Sequence, residues 1–415
     1  MKRKSVSFAQ LALPAMVVLF LLALTASVLS QADSLGDIGG RKLTFAADMV
    51  ALSLLLLAGC AYSLCRRAGL ESFLCAVFVI VGIGAAFQFL FEDYSKHMTM
   101  IFAGIFIGVV VYLIWRRMNG LNNALFLLVL FGIFALLVLN ILFGFNDEPD
   151  GARLWVNVGL FSFQPGEVVK ILLIVLGAAS YRNAKRGALY CLASGASCAV
   201  LMLLRDVGGA AVIFAIFLLM SYLLFDNRLL SGGIMLAAIV AFFYMVSVLP
   251  YAMERVSGWG QAMVNPASTQ QRQYILAVLL GGFDGLGLEH ASWFTEVFSA
   301  ESDGAAAGVM AVYGVPMAGI LLAAYAGLTS QAAWSDSVYP SGYFILAQMG
   351  MYVAVQVLLN LAGSLDVLFF TGIVCPMGIS NGGTATICSF MLLGLSAAAL
   401  NPYVARREEV YTHAC

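Results

Sequence analysis

The sequence predicts an all-α polytopic membrane protein of about twelve transmembrane helices, one integral membrane domain over residues 1–415. Three observations carry that prediction. Of the 415 residues, 62% are hydrophobic and only 10% charged, where an ordinary soluble domain has about 25% charged. Mean hydropathy is +0.95. The apolar residues also run in unbroken stretches of about 20, the length that crosses hydrocarbon, and not in the alternation of an outer-membrane barrel. A soluble enzyme and a disordered tail are excluded. The net charge of −1 leaves no basic field along which a nucleic acid could bind.

In chain order, helices are expected near 8–29, 45–64, 73–91, 98–115, 124–144, 165–181, 188–204, 209–225, 229–249, 305–327, 343–365 and 383–400. The first run follows Lys2, Arg3 and Lys4 and is too long for the core of a cleaved signal peptide, so it reads as a retained signal-anchor. With a cytoplasmic N-terminus, the cytoplasmic side collects Lys2, Arg3, Lys4, Arg66, Arg67, Arg116, Arg117, Arg182, Lys185, Arg186, Arg228, Arg406 and Arg407. The opposite side keeps Arg41, Lys42, Lys96, Arg153, Arg205, Arg255 and Arg272, while Lys170 falls within a span. That asymmetry obeys the positive-inside rule and places both termini in the cytoplasm.

The segments 145–164 and 250–304 then lie outside. The second is the longest stretch without a helical run, and such loops are usually functional or disordered. Its Trp259, Tyr274, Trp293, Phe294 and Phe298 argue for partial order against the membrane surface. Residues 1–116 form the N-terminal group of helices, and 145–400 carry the motifs described below. Gly104 and Gly108 make a GxxxG pair, most simply a close helix contact. No internal repeat of the inverted-transporter kind is visible. The eight cysteines show no zinc spacing and read as apolar packing. His97, His290 and His413 are scattered over loops and form no ligand cluster.

Five polar clusters interrupt the apolar runs, and ionisable groups there cost roughly 2.5–3.5 kcal/mol each. In Gln164-Pro165-Gly166-Glu167-Val168-Val169-Lys170, proline suits a first helical turn and Glu167 and Lys170 share a face. They are either a neutralised pair that tolerates burial or the wall of a polar cavity. Arg153-Leu154-Trp155 is either an interface anchor or part of the same site. Arg205-Asp206-Val207-Gly208-Gly209 is an exposed turn or a helix broken beside a cavity. Glu301-Ser302-Asp303-Gly304 precedes a helix, where Asp303 is a cap or a reactive acid. Pro376 to Thr384, containing Ser380, Asn381, Gly382 and Gly383, suggests re-entrant backbone and is not a P-loop.

In this order the clusters resemble those of the SEDS family of bacterial cell-wall polymerases, the FtsW/RodA/SpoVE group, from about Gly151 to Leu400. GARLWVNVGLFSFQPGEVVK is similar to the family's GA-x-RW…QPSE-x-x-K stretch, and LRDVGGA to its QPDLGTA. QYILAVLLGGFDGLGL, from Gln273 to Leu288, resembles a third segment. ESDG…AVYG keeps the family's step from Asp303 to Gly314, and NLAG…TG…CPMGISNGGTA matches the last motif. The departures are Leu154 for the motif arginine, Gly166 for its serine, Glu301 and Gly304 beside Asp303, Ala311 and Val312 for two acids, and the added Gly378.

The resemblance implies a ten-helix core with two additional N-terminal helices. It implies polymerisation of lipid II into peptidoglycan strands at the outer face of the cytoplasmic membrane, and a class B penicillin-binding protein as partner. By position, Asp303 matches the family's catalytic aspartate, and Glu167 and Lys170 its required acid–base pair. On this reading Asp303 takes the proton of an acceptor hydroxyl. Lys170, Arg205 and Arg272 or Arg153 hold the pyrophosphate, and Trp155, Gln164, Asp206, Gln273, Ser380, Asn381, Gly382 and Gly383 line the substrate site. A divalent cation, Mg or Mn, is chemically admissible beside Asp303, although no residue pattern demands it. A precursor flippase and a catalytically silent scaffold are the alternatives.

Overall fold

Every expected apolar run forms a helix. The structure, a computed structural model, describes residues 8–32, 41–66, 68–118, 121–145, 153–159, 162–225, 228–264, 268–331 and 340–400. Lys2, Arg3, Lys4, Arg67, Gly151, Arg406, Arg407, His413 and the chain termini lie outside the described residues. The helices are α1 (Phe8–Gln31), α2 (Arg41–Arg66), α3 (Glu71–Gln88), α4 (Tyr94–Trp115) and α5 (Asn123–Phe143). A two-stranded hairpin, β1 (Val156–Asn157) and β2 (Ser162–Phe163), pairs Val156 with Phe163. Then come α6 (Pro165–Ala178), α7 (Ala184–Leu203), α8 (Val207–Leu224) and α9 (Arg228–Val248). After α10 (Pro250–Ser257), α11 (Thr269–Gly281) and α12 (Gly287–His290), the chain ends with α13 (Ala305–Thr329), α14 (Pro340–Ser364) and α15 (Gly383–Ala399).

The count of twelve full-length spans is corrected. Among the described residues, 10 helices are long and apolar enough to cross a membrane. The other two, α6 with 14 residues and α15 with 17, reach about 21 and 26 Å at 1.5 Å per residue, short of a hydrocarbon core of about 30 Å. Both start where expected, side by side at one end of the bundle, directly after the hairpin and the glycine-rich break. The segment 250–304 is also corrected. It holds three α-helices and a 3₁₀ turn at Ser292–Glu296, and it buries Tyr274 and Phe294 completely. Its helices were illegible because they are short or polar and carry no run of spanning length.

α4 and α15 form a close pair. A Cβ on Gly394 would stand 2.2 Å from the Gly108 carbonyl, and one on Gly104 would strike the Phe390 ring at 2.6 Å. The GxxxG pair therefore is a packing surface, as small residues allow. The N-terminal helices dock on this core: Leu21 of α1 fills the space beside Gly82 of α3. The Gln31 carboxamide accepts from the Leu288 N–H at 2.9 Å, tying α1 to α12. His97 is not in a loop. It is buried in α4, with Nε2 3.0 Å from the Gly378 carbonyl.

Candidate active site

One end of the bundle gathers the starts of α6, α8, α13 and α15, the ends of α3, α7 and α14, and the segment from α10 to α12. The first group sits on α6. Pro165 occupies the first turn, and the Gln164 N–H donates to Thr384 Oγ1 at 3.2 Å, linking the QPGE turn to the glycine-rich break. Glu167 and Lys170 point into the bundle, 3% and 1% exposed. Lys170 Nζ donates to Glu167 Oε1 at 2.6 Å, and Glu167 Oε2 has no hydrogen-bond partner among the described residues. A buried ion pair is weak evidence for stability, because desolvation offsets its attraction.

Gly166 leaves room for the second group: Asp206 Oδ2 lies 3.7 Å from where a Cβ would stand. Asp206 caps α8, accepting the Gly209 N–H at 2.7 Å. Burial pushes its carboxyl above the ordinary value; the Lys170 ammonium, the Gly209 N–H and Arg255 pull down, and Glu167 pushes up. The chain turns here through Arg205, which has φ 69°, is exposed, and holds its guanidinium 5.7 Å over the Tyr251 ring.

The third group is Asp303, and its backbone is clamped. Its carbonyl accepts from Asn360 Nδ2 at 2.9 Å and from Ser364 Oγ at 3.0 Å. The Ser302 carbonyl accepts from Ser380 Oγ at 2.6 Å. The Glu301 carbonyl accepts from Gln88 Nε2 and from the Asn381 N–H, both at 2.8 Å. The N-cap position of α13 is taken by Gly304, not by Asp303. The carboxylate reaches instead toward Gly372, with Oδ2 3.5 Å from where a Cβ would stand. Burial raises its carboxyl to about 6, Arg255 pulls it down and Glu301 pushes it up.

Arg255 joins the groups, and sequence reasoning missed it. It lies on α10, one turn after Tyr251, with Nη1 donating to the Phe370 carbonyl at 3.5 Å and lying 3.9 Å from the same point above Gly372. It acts electrostatically on both Asp206 and Asp303. The one available signal was the Pro250-Tyr251…Arg255 spacing, a proline-started turn with ring and cation on one face.

The other candidates distribute as follows. Ser380 and Asn381 hold the Asp303 turn, and Gly382 and Gly383 start α15 beneath it. Trp155 is half-buried and bridged to Phe145, and Arg153 before it is exposed. Arg272 and Gln273 are half-buried on α11. Among the described residues, Arg153, Arg272 and Gln273 show no hydrogen bond or ion pair to Glu167, Lys170, Asp206 or Asp303. Nor do three His, Cys, Asp or Glu side chains converge among those residues. Among the described residues, the side chains therefore do not make a cage for a divalent cation.

Fold and site define an integral, multi-pass helical membrane protein whose buried acids and cations gather at one end of the bundle. The FtsW/RodA/SpoVE family model, described as cell cycle protein, matches residues 62–401. The chain belongs to that family. It is 27% identical over 295 residues to a probable peptidoglycan glycosyltransferase FtsW of Halorhodospira halophila, covering 64% of this chain and 71% of the relative. Over 316 residues it is 26% identical to the protein of that name from Idiomarina loihiensis, covering 70% and 75%. Two solved structures share the fold. One is a chain of a peptidoglycan synthase complex coordinating polymerization and crosslinking, with TM-score 0.61, 22% identity and coverage of 79% and 96%. The other is Thermus thermophilus RodA, with TM-score 0.53, 20% identity and coverage of 79% and 95%. The family match begins within α2, so α1 and most of α2 lie outside it.

Proposed function

We propose that this chain is a peptidoglycan glycosyltransferase that polymerises lipid II at the outer face of the bacterial cytoplasmic membrane, with Asp303 as general base. The relatives named peptidoglycan glycosyltransferase support the reaction class. The observation that supports the residue assignment is an acid whose backbone is clamped and whose carboxylate shares the space above Gly372 with Arg255. Asp303 takes the proton of the acceptor sugar hydroxyl as that oxygen bonds the donor's anomeric carbon. The bond from that carbon to the lipid pyrophosphate breaks, and its electron pair leaves with the phosphate. Arg255 meets the charge on the leaving group, a fork geometry suited to phosphate.

Lys170 takes a different part from the direct phosphate contact expected of it. Its ammonium is buried against Glu167 and acts on Asp206, so it is a positioning residue. Arg205, exposed at the turn, is placed to attract the anionic substrate. A penicillin-binding protein is the proposed partner, supported by the likeness to the synthase complex.

The test uses purified wild-type chain in liposomes with lipid II confined to the face bearing Asp303. Glycan strands forming on that face support the polymerase. Transfer of intact lipid II to the other leaflet without strands would replace it with a flippase, and neither product with the partner present would leave a scaffold.

A further inference from the structure

The opposite, basic end of the bundle carries a second site that the polymerase reading does not use. α2, α3, α4 and α15 enclose an apolar slot of about 420 Å³, lined by Gly59, Leu74, Val109 and Gly394 along its depth. At the mouth stand Tyr62 and Tyr112, their hydroxyls 3.4 Å apart. Arg116 closes the mouth: Nη1 donates to Tyr62 Oη at 2.5 Å, and the guanidinium lies 5.5 Å over the Tyr112 ring. Arg66 and Arg117 are exposed at the same end. An apolar slot within the bilayer, capped by an oriented guanidinium, matches one ligand chemistry, an acyl chain bearing an anionic headgroup.

We propose that this slot binds an anionic phospholipid of the leaflet at the basic end, one acyl chain between α2 and the α4–α15 pair and its phosphate against Arg116. Charge complementarity selects that occupant over a zwitterionic lipid, because Arg pairs with phosphate in a fork geometry: Arg116 stands on Tyr62 and Tyr112 at the mouth, Arg66 and Arg117 are exposed at the same end, and the acid beside the lining, Glu71, is buried and accepts from Ser63 Oγ at 2.8 Å. α2 supplies one wall, and most of α2 lies outside the family match. Of that wall, Gly59 lies before the match, while Tyr62 and the walls from α3, α4 and α15 lie inside it.

Native mass spectrometry of the full chain, in micelles doped equally with phosphatidylglycerol and phosphatidylcholine of the same acyl chains, tests this. Arg116→Gln should lower phosphatidylglycerol retention about fivefold, or about 1 kcal/mol at 1.4 kcal/mol per tenfold, and leave phosphatidylcholine unchanged. Val109→Trp, or Leu113→Trp where the first does not fold, fills the slot from an exposed position and should lower retention of both lipids. Unchanged phosphatidylglycerol retention in Arg116→Gln, or unchanged retention of both lipids in the folded tryptophan variants, overturns the proposal.

Discussion

At the scale of single residues, the acid at position 303 is informative because its surroundings pull in opposite directions. Burial raises its carboxyl to about 6, and Arg255 holds it from rising further. A general base works deprotonated, so polymerisation should fall as pH drops through about 6 and level off above it, which a pH–rate profile reads directly. Replacing Arg255 by Gln removes the cation that favours the ionised acid. That variant should move the midpoint of the profile upward and slow turnover by about 10²–10³, the range found when one charge-stabilising donor is lost. A slower enzyme with an unmoved midpoint would confine Arg255 to the leaving group. Charge in or beside apolar runs singled out Glu167, Lys170, Asp206 and Asp303 in the sequence, and the reactive role of Asp303, open between cap and acid on the residues alone, came from the family resemblance. It hid Arg255, because an arginine in a polar segment is unremarkable until the fold brings α10 over the glycine-rich break. The added Gly378 also finds its reason here: at φ 80° it turns its carbonyl to His97, where a Cβ on Gly84 would come within 2.2 Å.

Among the elements, the apolar helices were fully legible and their lengths were not. The apolar runs placed the starts of both α6 and α15 correctly, at Pro165 and Gly383, but α6 ends at Ala178 and not near 181, and neither reaches spanning length. The helices of 250–304 escaped as short half-polar pieces whose stability comes from packing on α13 and α14. The α4–α15 contact gives a sharp check. Gly394→Leu places side-chain atoms where the Gly108 carbonyl now lies, 2.2 Å from the new Cβ. Overpacking of this kind costs typically 1–3 kcal/mol, so thermal unfolding in detergent should begin at lower temperature than for wild type. An unchanged transition would mean that the two helices do not pack as described.

For the whole molecule, the account requires that the end holding Asp303 face outward and the arginine-rich end face the cytoplasm. In intact spheroplasts of a Cys65→Ser, Cys415→Ser background, a membrane-impermeant maleimide should label Glu296→Cys and spare Lys185→Cys until the membrane is opened. Labelling in the reverse order would turn the bundle over and remove the substrate from the acid. The two N-terminal helices were visible as apolar runs, yet their docking through Leu21 and Gln31 was not, because contacts between distant segments leave no local pattern. The most direct measurement of the central claim is polymerisation of lipid II by purified Asp303→Asn beside wild type, with matched thermal unfolding as the folding control. Loss of a positioned base predicts a fall of about 10²–10⁴ in strand formation with unfolding unchanged. Strand formation at the wild-type rate in that folded variant would contradict the assignment.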